Sequence, residues 1–506
     1  MKRLIAFVLL LSALLFSLLD TGTVTAAPPA QSGSCANTLS QPAGQDFWVG
    51  SRTPTNQNGP VVVFVHGYTS DHNTWVGGNY AVRDACNQGF RVAAVDLGGE
   101  ASIWTNGDIL RQRLQSIASY FGVSRVNVMA HSKGGLDTQT AIVHYGAYPY
   151  VQSYIAFGSP FGGTDLADHA CSWYGFWLWQ CNDATWSMRT GYMSYVRSIT
   201  DGRAENNYVS AYAARGSKCD WYNPACGLIS GPDDGVVPTW SAWANGVDSH
   251  ISDRGDLRHN EVHQTQRYNS AWIFSYLGSG TLRPTGEIPQ PELLFPRSDY
   301  TLRGGPLQPG TVERVTVEPG LEAVTFSLVT NGAAQVTLVA PDGTRTRLVG
   351  QRTAPGGLLQ GLRYEKRVAQ PGAGEWQIEM APAGSGEAQL GYLLRTVYEG
   401  GITARLDLDV RRVYEPGSEI DVALTLESVA SATMLVTLWD SEQAIVAQRR
   451  GATGGLSVTL PPTSGTYTLD LHVSGTTADG APFERTLVTS VAAVDVDSVS
   501  DPASIR

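Results

Sequence analysis

The sequence predicts an α/β domain built on a mostly parallel sheet, followed by two β-sandwich domains. Three observations carry that prediction. Continuous apolar strands alternate with amphipathic helical stretches in the first half, Gly, Ser and Pro punctuate the chain near residue 281, and short alternating strands with Gly/Pro turns follow. At 506 residues the chain is also too long for one core. The expected division is a leader over 1–27, an α/β domain over 28–280, a linker over 281–299, and β-sandwiches over 300–400 and 401–506.

The leader is expected to be a secretory signal. Met1-Lys2-Arg3 is basic, Leu4 to Leu19 is an apolar run of 16 residues, and Val24-Thr25-Ala26 offers small residues for cleavage after Ala26 or Ala27. The run falls short of a bilayer span, and no later stretch is long enough for a transmembrane helix. A secreted, extracellular protein is therefore expected. Six cysteines follow, at 35, 86, 171, 181, 219 and 226, and an even number in an exported chain implies disulfides. Six cysteines allow 15 pairings, of which spacing favours Cys171 with Cys181 and Cys219 with Cys226, leaving Cys35 for Cys86. No C-x2-C or neighbouring histidine pair supports a metal site, and no cofactor is expected. The formal charge of −11 gives no basic footprint, so nucleic acid is not an expected partner.

Within the α/β domain, Val61 to Val65 is apolar throughout, as expected of a strand covered on both faces. Arg91 to Leu97, Val126 to Ala130 and Tyr154 to Phe157 are further strands, and Ile109 to Phe121 carries apolar residues at helical spacing. Chemistry in such sheets gathers at the carboxyl ends of the strands. At one of those ends Ala130-His131-Ser132-Lys133-Gly134 places a serine between small residues, as a strained strand-to-helix turn requires. Ser132 is the candidate nucleophile. The backbone N–H groups of Lys133 and of Tyr68, in His66-Gly67-Tyr68, are the candidate oxyanion donors. His66 is expected to hold its loop by hydrogen bonds.

A serine nucleophile needs a histidine, and the histidine needs a carboxylate to fix its tautomer. Asp234, in Pro232-Asp233-Asp234-Gly235-Val236-Val237-Pro238, is the candidate acid, with Asp233 the alternative. Asp96 and Asp165 come too early in the chain order and are expected to be loop carboxylates. His259 is the candidate base and His263 the alternative, while His131 adjoins the serine where neighbouring side chains diverge. The order Ser132, Asp234, His259 is serine, acid, histidine.

The motifs VVVFVHGYTSDHNTW, AHSKGG, GSPFGGT and PDDGVVP, in this order, resemble the bacterial lipases of the α/β-hydrolase superfamily over about residues 58 to 278. The resemblance implies ester hydrolysis through an acyl-enzyme, with Ser132 as nucleophile, His259 as base and acid, Asp234 as orienter, and Tyr68 and Lys133 as oxyanion donors. Many of these lipases place H-L-D-E-V after the last strand, the aspartate helping to hold a structural calcium. Here Asn260 follows His259, so no calcium is expected. The resemblance assigns no role to the Lys133 ammonium.

Between Ser172 and Tyr195 stand eight aromatic residues in 24, against 9% in the whole chain. A lid or cleft wall for a hydrophobic substrate is expected, with a small satellite core as the alternative. In the second half, Val324 to Val329, Ala334 to Leu338, Trp376 to Met380 and Leu390 to Thr396 alternate as strands, and PDG and PGAGEW loosely resemble the prepeptidase C-terminal type of secreted β-domain. Ile420 to Leu426, Met434 to Leu438 and Thr466 to Val473 give a second, immunoglobulin-like cycle. These modules are expected to contact a surface or polymer, or to stabilise the enzyme. The expected function is that of a secreted lipase or carboxylesterase acting on lipid or other hydrophobic esters. An extracellular polyester depolymerase is the alternative within that class, and an adhesion or binding protein on an inactive hydrolase scaffold the alternative outside it.

Overall fold

Every residue of the Val61–Val65 strand is buried, and its side chains alternate between two separate apolar clusters. Val61, Val63 and Val65 meet Leu110, Leu114 and Ile117 on one face, while Val62 and Phe64 meet Trp75, Phe157 and Phe274 on the other. A strand covered on both faces belongs at the centre of an α/β sheet. The structure, a computed structural model, describes residues 35–50, 58–220, 227–242, 249–277, 296–353, 359–384 and 389–506. The expected leader and residues 281–295 of the expected linker lie outside those residues.

The first half runs β1 (Leu39–Ser40), β2 (Phe47–Gly50), β3 (Val61–Val65), α1 (Ala81–Asn87), β4 (Arg91–Val95), α2 (Ile103–Phe121), β5 (Val126–His131), α3 (Lys133–His144) and β6 (Val151–Phe157). Four short helices follow, α4 (Asp165–Ala170), α5 (Trp173–Phe176), α6 (Asp183–Ser187) and α7 (Thr190–Thr200), before β7 (Ser210–Gly216), β8 (Ser249–Arg254) and α8 (Ser270–Ser275). The eight strands form one sheet in the order β1-β2-β4-β3-β5-β6-β7-β8, parallel except where β1 and β2 pair and where β2 meets β4. Helix α2 starts six residues before the expected Ile109, because Ser102 accepts the Thr105 N–H and caps it there. It ends where expected, with Gly122 at φ +66° supplying the left-handed cap.

The second half contains two sets of antiparallel sheets. In the first, strands 300–307, 390–399, 323–330, 362–369 and 351–352 face strands 311–317, 374–382, 334–339 and 345–348, with Phe326, Leu328, Trp376, Ile378 and Leu394 between them. In the second, strands 413–414, 482–493, 465–477, 429–439 and 445–452 form a sheet over a core of Met434, Val436, Leu469, Leu471 and Val473. These are β-sandwich packings, as the alternation predicts.

Disulfides join Cys35 to Cys86 and Cys171 to Cys181. Cys219 is also disulfide-bonded, and its expected partner Cys226 lies outside the described residues. Among the described residues no helix is long and apolar enough to cross a membrane.

The aromatic stretch is not a small satellite core, since Trp186, Tyr192 and Tyr195 join the same apolar cluster as Val61 and Leu110. It lies against both β-sandwiches. Trp173 stacks on Trp439 at 5.4 Å, Tyr174 donates from its hydroxyl to Asp470, and Gly304 and Gly391 leave room for the backbones of Tyr174 and Trp177. Trp186, Tyr192 and Tyr195 are buried, whereas Trp179 is 61% exposed. Behind the stretch, Arg189 and Asp168 form a fully buried ion pair, which Thr468 and Ser490 of the second sandwich complete by hydrogen bonds.

Candidate active site

Strand β5 ends at His131, and helix α3 begins at Lys133, so Ser132 alone makes the turn, at φ +55° and ψ −131°. That conformation is unfavourable for a residue with a Cβ, and close packing holds it in place. A Cβ on Gly134 would stand 2.3 Å from the His66 carbonyl oxygen, and one on Gly67 would stand 2.7 Å from the Ser132 Cβ. Glycine at both positions lets the turn seat against the end of β3.

The loop after β8 brings His259 over the serine. Ser132 Oγ donates to His259 Nε2 at 2.9 Å, and His259 Nδ1 donates to Asp234 Oδ2 at 2.9 Å. Asp234 Oδ1 accepts the N–H groups of Val236 and Val237 at 3.0 and 2.8 Å, and the His259 N–H donates to the Asp234 carbonyl at 2.8 Å. Gly158, at φ +56°, has no Cβ that would crowd Asp234 Oδ2 and His259 Nδ1. Ser132 is 5% exposed, and His259 and Asp234 are buried beside it.

The alternatives stand elsewhere. Asp233 spends one carboxylate oxygen on the Gly235 N–H, and burial pushes its carboxyl up to about 7. His263 lies away from the serine, with its imidazole 3.9 Å from that of His131 and edge-on to Trp75. Burial and the neighbouring His259 push it down to about 3. His131 donates from Nε2 to the His259 carbonyl at 2.9 Å, and burial, then His263 and His259, keep it neutral. Asp96 holds Trp48 and His72 by hydrogen bonds. Asp165 opens α4, where Ser230 donates to both its oxygens and burial raises it to about 7.

Lys133 follows the serine as the first residue of α3, and Tyr68 follows Gly67, the residue after β3 that packs on the Ser132 side chain. Among the described residues neither backbone N–H is used in a turn or loop hydrogen bond. The Tyr68 hydroxyl accepts from Asn182 Nδ2 at 3.0 Å, which ties the loop after β3 to the cap of α6. Sequence reasoning missed Asn182. Its N-x-x-T spacing marks a helix start, but nothing in the sequence joins it to a tyrosine 114 residues away. The arrangement can move a proton from a hydroxyl to an imidazole while a carboxylate steadies the cation that forms.

No protein-family model and no curated protein sequence matches this chain. Among solved structures, the propeptide form of Bacillus licheniformis lipase BlEst2 is 22% identical, with a TM-score of 0.69, and the match covers 89% of this chain and 97% of that one. The mature form of that lipase is 28% identical over 45% of this chain and 96% of its own, with a TM-score of 0.41. An enol-lactonase from Burkholderia xenovorans LB400 is 12% identical over 47% of this chain and 99% of its own, with a TM-score of 0.29. The parallel sheet, the serine turn after β5 and the likeness to the propeptide form together establish an α/β-hydrolase fold followed by β-sandwich domains.

Proposed function

We propose that the protein is a secreted serine hydrolase that cleaves carboxylic esters of hydrophobic substrates. The observation that carries this reading is the unbroken chain Ser132 Oγ to His259 Nε2, then His259 Nδ1 to Asp234 Oδ2, with both links at 2.9 Å. His259 takes the Ser132 proton as the hydroxyl attacks the ester carbonyl, and the oxyanion that forms lies against the N–H groups of Tyr68 and Lys133. His259 then gives the proton to the leaving alcohol. Water repeats the attack on the acyl-enzyme and frees Ser132. The similar structure that spans both halves of this chain is that of a lipase, which supports hydrolytic chemistry on this fold. The two disulfides support export.

Hydrolysis of p-nitrophenyl esters of graded chain length, with triolein and a polyester film alongside, tests the reading. Wild type is expected to turn over at least the soluble esters, and Ser132→Ala to lose several powers of ten while keeping its fold. Turnover near the wild-type rate in that variant would sink the triad. No turnover by wild type on any of these substrates would favour a binding role.

We further propose that the β-sandwiches hold the aromatic stretch in place, as a prosegment would. Its support is the Trp173–Trp439 stack and the buried Arg189–Asp168 pair completed by Thr468 and Ser490. The similar lipase structure that spans both halves of this chain is a propeptide form. Limited proteolysis within 278–295, followed by separation of the halves, is expected to change the ratio of long-chain to short-chain ester turnover. An unchanged ratio in the freed catalytic half would refute it.

A further inference from the structure

Lys133 sits next to the nucleophile with its side chain only 1% exposed, and the ester hydrolase reading leaves its ammonium without a task. The ammonium donates to Asp137 Oδ1 at 2.8 Å, one turn further along α3. The other oxygen of Asp137 accepts from Asn106 Nδ2 of α2 at 3.0 Å. Asn106 in turn grips the loop after β4, donating to the Gly98 carbonyl at 2.9 Å and accepting the Gly98 N–H at 3.1 Å. Lys133, Asp137 and Asn106 are each no more than 2% exposed, so water does not compete for these bonds.

The same loop grips the other side of the site. The Leu97 N–H donates to His66 Nε2 at 2.8 Å, and His66 Nδ1 donates to the Gly67 carbonyl at 2.8 Å. The Thr69 N–H donates to the Gly99 carbonyl at 3.1 Å. Residues 97–99 therefore hold Gly67 and Thr69, which bracket the Tyr68 N–H, and also hold Asn106, which leads to Lys133. Each candidate donor adjoins a strained residue, Ser132 at φ +55° and Thr69 at φ +47°. Such conformations persist only where the surroundings over-determine them.

We propose that Lys133, Asp137 and Asn106 are positioning residues that set the two halves of the oxyanion hole at a fixed separation, through the loop at Leu97 to Gly99. The inference rests on the ester hydrolase reading and extends it from the backbone donors to the side chains that brace them. A buried ion pair is a weak source of stability compared with well-packed apolar residues, but it holds one geometry. Two backbone donors aimed at one oxygen need one geometry.

The experiment compares wild type with the double variant Lys133→Met/Asp137→Leu, which removes both charges together and fills the space. Asn106→Ala is a second, milder cut in the same chain of bonds. Thermal unfolding verifies the fold. The readouts are kcat and KM on p-nitrophenyl butyrate, and inhibition by an alkyl trifluoromethyl ketone. That ketone adds Ser132 Oγ to its carbonyl carbon, places the resulting oxyanion in the hole and leaves the serine proton on His259.

Loss of one oxyanion donor costs about 100- to 1,000-fold in kcat, and a misplacement of about 1 Å costs about 100-fold. Each folded variant is expected to lose about 30- to 300-fold in kcat, to change KM by less than about threefold, and to lose ketone affinity by the same factor as kcat. A merely structural role would lower the melting temperature and leave kcat and ketone affinity together at wild-type values, and that result overturns the proposal. If wild type itself neither turns over ester nor binds the ketone, the ester hydrolase reading falls first.

Discussion

Replacing Asp234 by Asn is a test whose outcome the hydrogen bonds around that side chain determine. Asp234 Oδ1 accepts two backbone N–H groups, from Val236 at 3.0 Å and Val237 at 2.8 Å, while Oδ2 faces His259 Nδ1. An asparagine there has one acceptor and one donor to distribute. Its carbonyl oxygen must take the Oδ1 position, because an NH2 group would confront two N–H donors in a buried place. The NH2 then faces His259 and donates to Nδ1. The imidazole is driven to the tautomer with its proton on Nε2, pointed at Ser132, where it cannot accept the hydroxyl proton. The expected loss in kcat/KM near neutral pH is about 10,000-fold, or about 5 kcal/mol in the transition state at about 1.4 kcal/mol per decade. The assay is p-nitrophenyl ester turnover by Asp234→Asn, with Asp233→Asn alongside. Asp233 turns a carboxylate oxygen to the Gly235 N–H, a bond an asparagine oxygen also accepts, so its variant is expected to stay within about threefold of wild type. A loss below about tenfold in Asp234→Asn, or equal losses in the two variants, would refute the locked amide and with it the role given to Asp234.

Other expectations follow from buried titratable groups and close approaches. His263 is pushed down to about 3 by burial and by His259, below the ordinary value of 6.5, so its contribution is complete above pH 6.5 and is lost as pH falls toward 3. Between pH 7 and 4 that group alone removes about 3 kcal/mol, and His263→Gln should flatten the fall in melting temperature over that interval. Asp470, buried under Tyr174, has the opposite sign: burial raises it from 3.8 to about 7, so its stabilising effect is complete below pH 3.8 and disappears as pH rises through 7. Asp470→Asn should therefore lose less thermal stability than wild type between pH 5 and 8, and an unchanged slope would deny the docking of Tyr174. Removing one partner of a fully buried ion pair costs about 3–5 kcal/mol, so Arg189→Ala should lower stability by that order in urea unfolding, far more than loss of the exposed Arg345–Glu379 pair.

Much of the site was legible because its chemistry imposes local spacing. A serine on a strained turn demands small residues on both sides, and Gly134 is small because the His66 carbonyl would lie 2.3 Å from a Cβ. The choice between Asp233 and Asp234, and between His259 and His263, is set by backbone geometry no spacing rule contains. The His259 N–H donates to the Asp234 carbonyl and draws the two loops together, so that the ring at 259 faces the serine and the ring at 263 packs on Trp75. The Lys133–Asp137 pair has the i, i+4 spacing of a helical ion pair and could have been found. Asn106, 31 residues before Asp137, could not, because only the packing of α2 on α3 brings them together.

The sandwiches were legible as strands and illegible as partners, and the reason is chemical. In strand 465–477, Leu469, Leu471 and Val473 point into the sandwich core, and the alternation alone reveals that face. The other face carries Thr466, Thr468 and Asp470, a pattern that in sequence means solvent. Yet all three are buried. Thr468 accepts from Arg189 and Asp470 accepts from Tyr174, while Ser490 on the neighbouring strand donates to Asp168. A face of threonine, serine and aspartate gives buried arginine, aspartate and tyrosine hydrogen-bond partners that leucine could not supply. The polar composition that hides this interface from sequence reading is thus what allows it to bury charge, and it makes the contact dependent on pH in a way an apolar contact would not be. A change of Thr468 to Val, equal in size but without the hydroxyl, isolates that point. It removes one hydrogen bond from a buried guanidinium, which costs about 1–3 kcal/mol. The loss should appear as weaker association of the proteolysed halves, with the sandwich core unchanged, and undiminished association would mean that packing alone holds the two halves together.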